Sequence, residues 1–383
     1  MTSSGDLHDD RLEHIGPRRV DSGRLQQLDG LRGVAALVVV VAHSAEFGFA
    51  PPVLGGGFGQ LGVALFYALS GFLMGHLYFG RDASSAEIYR YAVNRAARVL
   101  PLFYVTLILA GGLFVLTGYS VYYVNSLERF VLNAALVHGT SVFWSIPVEV
   151  QFYVAFAVLW WLHARRGWSL RRVLALGLAT QAAAAILIVG LKMLIAPDLG
   201  SASLPFWGHL FLCGLAMSRV RLPRLPMRAG GMATAVLGAL IVLALVALQH
   251  APGLPEFPNF ANPLINGVPL IALYLAVQCS PALRFLDTRV LRWLGGVSYG
   301  VYLFHIPVLE LTSSLGVSHV LPGVGFAMVL GLTLLTAWLA RHGFEVPVQR
   351  LLRARLTPAS LRRDSGGNRE IPATEPGSAA VPS

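Results

Sequence analysis

The sequence is short of charge, shorter still of acid, and nearly without lysine or cysteine. Only 13% of its 383 residues are charged, about half the ~25% of a soluble domain. A water-facing surface for a soluble fold of this size is therefore missing. The two cysteines, Cys213 and Cys279, both sit inside apolar runs, which excludes a disulfide framework and a cysteine metal site. No metal is expected. Acids number 19 against 29 basic residues, a net charge of +10. In a soluble protein that excess would suggest nucleic acid. Here the basic residues cluster between long apolar runs, so no nucleic-acid partner is expected. No internal repeat is visible, which removes the main sequence sign of an inverted-repeat transporter. Residues 1–27 mix acids with bases, and no small-residue cleavage site follows the first apolar run. That run reads as a retained helix rather than a signal peptide.

What is present is hydrophobic: 55% of the chain, with mean hydropathy +0.63. About 20 apolar residues cross a bilayer core of ~30 Å. Runs of this kind occur near 29–48, 58–79, 100–118, 148–163, 173–195, 203–218, 229–249, 263–279, 298–315 and 324–341. The apolar piece at Phe130–Val137 is too short and reads as re-entrant or interfacial. Of the 29 basic residues, 26 fall on alternate loops or on the termini, the sorting expected of the positive-inside rule. The fold class is thus all-α, a polytopic membrane protein of about ten helices with both termini cytoplasmic. Residues 1–27 form a polar cytoplasmic segment and 28–345 the membrane domain. Residues 346–383 form a tail, basic and then disordered.

Ionisable side chains inside apolar spans are costly and default to functional hypotheses. Arg32, His43 and Glu46 share the first run. Arg32 and His43 are eleven residues apart, roughly 16 Å along one face of a helix. Snorkelling of Arg32 and a wet helix end for His43 and Glu46 explain them equally well. Arg95 and Arg98 share a face at i, i+3 just before Pro101, placed by the spacing at the cytoplasmic interface. Paired guanidiniums there suit phosphate, though a topology signal needs no more. The segment Trp144-Ser145-Ile146-Pro147-Val148-Glu149-Val150-Gln151-Phe152-Tyr153 puts Glu149 at the outer end of a span, with Gln151 and Tyr153 close by. The ninth run carries Ser298, Tyr302 and His305, where a structural histidine is as reasonable as a catalytic one.

Together these segments resemble the membrane acyltransferase family three, whose members move acyl groups from coenzyme A thioesters to hydroxyls. The matching pieces, in order, are Leu28 to His43, Gly62 to Phe72 with Ser70, Arg95-Ala96-Ala97-Arg98, Trp144 to Tyr153, and Ser298 to His305. Ala64 stands where the family usually has an acid, Val150 replaces a second glutamate and Pro147 a small polar residue. Some relatives carry a fused extracytoplasmic esterase-like domain, which is not expected here. The resemblance implies an enzyme of a bacterial cytoplasmic membrane with no permanently bound cofactor and acyl-CoA as co-substrate. Arg32, Arg95 and Arg98 would hold the coenzyme. His43 would be the base, assisted by Glu46, Glu149 or His305. Ser70, Trp144, Gln151, Tyr153, Ser298 and Tyr302 would bind substrate. The acceptor is expected to be a sugar or macrolide-type hydroxyl, with cell-envelope glycan as an alternative. A transporter without acyl transfer is the rival from another class. Oligomeric state stays open.

Overall fold

The structure, a computed structural model, describes residues 22–194, 203–220, 261–278, 281–316 and 322–358. Among these the chain is helical, without strands. The helices are α1 (Ser22–Glu46), α2 (Gly59–Tyr78), α3 (Ser85–Thr117), α4 (Leu127–Ala134), α5 (Ser145–Arg166), α6 (Leu170–Leu194), α7 (Leu204–Arg219), α8 (Pro263–Val277), α9 (Arg289–Ser314), α10 (Pro322–Ala340) and α11 (Val346–Leu356). Among the described residues seven helical segments are long and apolar enough to cross a membrane, and the segment Ile265–Val277 is apolar but shorter. The protein is a multi-pass membrane protein. The run expected at 229–249 lies outside the described residues, as does the chain beyond 358.

Two differences from the sequence reading matter for the site. The third span does not begin at Pro101. It is the second half of one 33-residue helix, ~50 Å long, that starts at Ser85, where the Ser84 hydroxyl accepts the Glu87 N–H. Arg95 and Arg98 therefore ride on a continuous helix, with Pro101 inside it. Segment 346–383 also opens with a helix: α11 follows a π-helical turn at Arg341–Glu345, packs against α3, and receives the Tyr89 hydroxyl on its Leu356 carbonyl.

Without a hydrophobic driving force between helices in lipid, small residues set the closest crossings. A Cβ on Gly295 would stand 1.9 Å from the Asp29 carbonyl oxygen, and one on Gly30 equally close to that of Leu286. Leu286 lies at the end of the 3-10 turn Pro281–Asp287, just before α9, and with Gly33 against the Leu291 carbonyl glycine brings α1 and α9 together side by side and parallel. Gly71 and Gly214 do the same for α2 and α7. The chain between α3 and α5 makes no span. It holds α4 and two 3-10 turns, Val121–Tyr123 and Ser141–Trp144. The structure's four non-glycine residues with positive φ among those described, Tyr122, Tyr123, Leu136 and Ser141, all fall in this segment. Hydrogen bonds from Tyr122 Oη to the Leu303 carbonyl and from Tyr302 Oη to the Val142 carbonyl tie it to α9.

Candidate active site

A cleft opens between α1, α2, α3, α5 and α9. Its polar lining comes from Arg32, Ser70, Arg95, Arg98, Glu149, Tyr153 and Ser298, joined by Tyr67, Tyr299 and Tyr302. Ser70 fixes its depth: it lies 11 residues from one end of α2 and 8 from the other, or about 16 and 12 Å. The three arginines and Glu149 thus meet near the middle of the bundle. Glu149 is only four residues from the start of α5, yet it lies at this depth and not at an outer surface, as its place in sequence suggested. The reason is the inward path of the chain before α5, which starts that helix inside the protein.

Glu149 is the hub of the cleft. It accepts hydrogen bonds from Ser70 Oγ at 3.0 Å and from Tyr153 Oη at 2.5 Å on one carboxylate oxygen. Tyr153 is four residues along α5, so both face inward from one stripe. Three guanidiniums share the cleft with this single carboxylate. Among the described residues Arg32 has one ion-pair partner, Asp29, at 3.9 Å and largely exposed, and Nε of Arg95 is buried without a hydrogen-bond partner. A buried orphan donor beside surplus positive charge calls for an anion.

The second feature lies eleven residues along α1 from Arg32. His43 and His305 face each other, with His305 Nε2 3.3 Å from His43 Nδ1 and ring centroids 5.0 Å apart. His43 Nδ1 also lies 3.0 Å from the Val39 carbonyl, and His305 Nδ1 3.2 Å from that of Val301. A carbonyl can only accept, so both rings carry their proton on Nδ1. Two consequences follow. His305 presents a lone pair at Nε2 to the Nδ1–H of His43, and Nε2 of His43 keeps its own lone pair free to take a proton. His305 is fully buried and His43 partly accessible, so of the two imidazoles only that of His43 is open to a reactant. The Tyr302 ring, 5.9 Å from that of His305, connects the pair to the cleft.

Not every candidate residue gathers here. Gln151 stands two residues from both Glu149 and Tyr153, about 200° around the helix, and points away. Its Oε1 accepts the N–H of Leu204 at the start of α7. Trp144 packs one layer behind the cleft, 6.2 Å from the Tyr67 ring and 5.3 Å from Trp207. Glu46 is exposed at the end of α1, and the hydrogen bonds of His43 go elsewhere. Ser298 and Tyr302 do line the cleft, with their hydroxyls given to the Gly295 and Val142 carbonyls. Sequence reasoning missed Tyr67 and Tyr299, whose hydroxyls hold the Ser145 and Val99 carbonyls. Tyr67 is one helical turn before Ser70 and Tyr299 adjoins Ser298, which was the available signal.

The chain is similar in sequence to known proteins over most of its length. The family model described as an acyltransferase domain fits residues 25–342. The chain belongs to that family. Among curated proteins it is 24% identical to the peptidoglycan O-acetyltransferase OatA of Listeria monocytogenes, over 84% of this chain and 55% of OatA. It is 27% identical to YrhL of Bacillus subtilis, provisionally named a peptidoglycan O-acetyltransferase, over 84% and 54%. BcsY of Komagataeibacter xylinus, provisionally named a membrane-bound transacylase, is 26% identical over 83% of this chain and 81% of its own length. The chain spans about half the length of the first two relatives. No solved structure matches it.

Proposed function

We propose that this protein moves a small acyl group, acetyl in the first instance, from a coenzyme A thioester to a hydroxyl of a cell-envelope glycan in a bacterial cytoplasmic membrane. The observation that carries the reading is the pairing of an anion-seeking cleft with a free imidazole nitrogen further along the same helix. In this reading the arginines bind the coenzyme phosphates and its thin pantetheine arm runs from the cleft past Tyr302 toward His43. Nε2 of His43 takes the proton of the acceptor hydroxyl as its oxygen attacks the thioester carbonyl. The resulting imidazolium keeps its Nδ1–H on the Val39 carbonyl and the lone pair of His305. The proton then passes to the departing thiolate, leaving an ester and free coenzyme A. A glycan is favoured over a macrolide as acceptor because two of the relatives are named for peptidoglycan.

The test is thiol release from acetyl-CoA by purified protein in detergent, with peptidoglycan fragments, cellulose oligosaccharides and macrolides as separate acceptors. Release stimulated by a glycan, with acetate recovered as its ester, supports the reading. Stimulation by macrolides alone would move the acceptor to secondary metabolites. Release with no acceptor in the set would overturn it.

A further inference from the structure

At the end of the matched residues 25–342, and running just past them, the chain makes a π-helical turn, Arg341–Glu345. Such turns are rare and recur at functional sites. This one contains a carboxylate that is costly to bury: the Glu345 side chain is only 8% exposed. Its Oε1 accepts from Gln349 Nε2 at 3.0 Å. The Arg341 guanidinium lies 3.9 Å away, within ion-pair range but longer than a hydrogen bond. Arg341 donates Nη1–H to the Gly296 carbonyl, and its guanidinium lies over Gly296, within van der Waals reach of where a Cβ would stand. One of its five N–H donors is thereby committed, while a third of the side chain stays exposed. The π turn packs on α3, so Glu345 sits in the field of both Arg341 and Arg98. Gly296 is two residues before Ser298 and three before Tyr299, both in the cleft, and Tyr299 bonds the carbonyl next to Arg98.

We propose that the π turn is part of the donor site: Arg341 supplies a fourth guanidinium for the donor's phosphates on the approach to the cleft, and Glu345 is the positioning residue that holds it there. The inference rests on the coenzyme A reading above. The chemistry of the ligand is a phosphate, for which a lipid headgroup at the bundle surface would also serve, and the experiment separates the two.

Steady-state kinetics of Arg341→Gln, Arg341→Lys and Glu345→Gln would be compared in lipid-free detergent with acetyl-CoA and with acetyl-pantetheine, which lacks the phosphates. For Arg341→Gln the expected result is a KM for acetyl-CoA raised roughly ten-fold, the weight of a charge-assisted contact, and raised more than kcat is lowered. With acetyl-pantetheine the ratio of variant to wild-type KM falls toward one. Arg341→Lys recovers part of the loss, and Glu345→Gln, which keeps an acceptor for Gln349, shifts KM the same way by less. Equal effects on both donors, or no effect on either, would overturn the proposal in favour of a structural turn. An effect that appears only when anionic lipid is added would also overturn it, in favour of headgroup binding. If the wild type turns over no acceptor, binding of free coenzyme A is measured instead. Binding that Arg341→Gln weakens keeps this site while the transfer reading falls, and undiminished binding ends the proposal.

Discussion

The two polar stations along α1 are built from opposite materials. Around Arg32 the walls bring three guanidiniums, one carboxylate and three tyrosines besides Tyr302. Around His43 the polar partners are one backbone carbonyl and one neutral imidazole. The first station is rich in fixed charge and suits holding an anion, because guanidinium forks match phosphate oxygens. The second holds no fixed charge and suits moving a proton, because imidazole gains and loses one near neutral pH. Eleven residues, about 16 Å along the helix, separate the two stations. In the proposed reading binding and chemistry are divided along one helix, and α9 runs parallel to it with Ser298 and His305 in matching order.

The sharpest way to break this division is His43→Ala. If chemistry resides at the histidine station alone, kcat for acetyl transfer falls by about 10²–10⁴-fold, the usual weight of a general base. Binding of coenzyme A, measured by calorimetry on the same protein, stays intact. Loss of coenzyme binding in this variant would mean that the two stations are not separate. At the other station, Arg98→Ala should raise the KM for acetyl-CoA by roughly 10–100-fold, the range of a lost hydrogen bond to a charged group, while kcat at saturation changes less. A kcat effect as large as that on kcat/KM would place Arg98 in the transition state instead. His305→Gln sharpens the comparison within the histidine station. Its Nε2 is the acceptor that supports His43, and glutamine does not reproduce the ring. An expected loss of about 10-fold in kcat, well short of that of His43→Ala, distinguishes a positioning residue from the base. Losses of equal size would make the pair a single unit.

How far the site was legible follows from the same contrast. Residues related by one helix could be placed from spacing alone: Arg32 with His43, and Arg95 with Arg98, project as the 3.6-residue period requires. Residues from different helices could not. The His43–His305 contact joins positions 262 apart in sequence, and nothing local to either reports the other. The glycines that make the contact possible, Gly33 and Gly295, were visible only as letters. Depth was the second loss. Charge sorting tells which loops share a side, but not how far inside a span begins, so Glu149 was set at a surface and lies mid-bundle. The helical class was legible from hydropathy because lipid leaves the backbone no other economical way across. The start of α3 at Ser85 was hidden because a polar, capped first half has no apolar run to mark it.

Gln151 offers the smallest and most selective test. Its place in the Glu149–Tyr153 stretch made it a substrate-binding candidate, whereas its side chain reaches out of the cleft to the first N–H of α7. A helix leaves its first four N–H groups without internal partners, and Leu204 precedes Pro205, which has no N–H to offer. The Gln151 carbonyl thus meets one of the few donors exposed at that end. Replacing Gln151 by alanine removes a single neutral hydrogen bond, worth about 1 kcal/mol. The expected outcome is a slightly lower midpoint of thermal unfolding in detergent, with KM for donor and acceptor within two-fold of wild type, roughly the scatter of an uncoupled site. A several-fold rise in acceptor KM at unchanged stability would return Gln151 to the binding surface. The cleft would then have to extend around α5 toward α7, and the glycan would enter between those helices rather than beside α9.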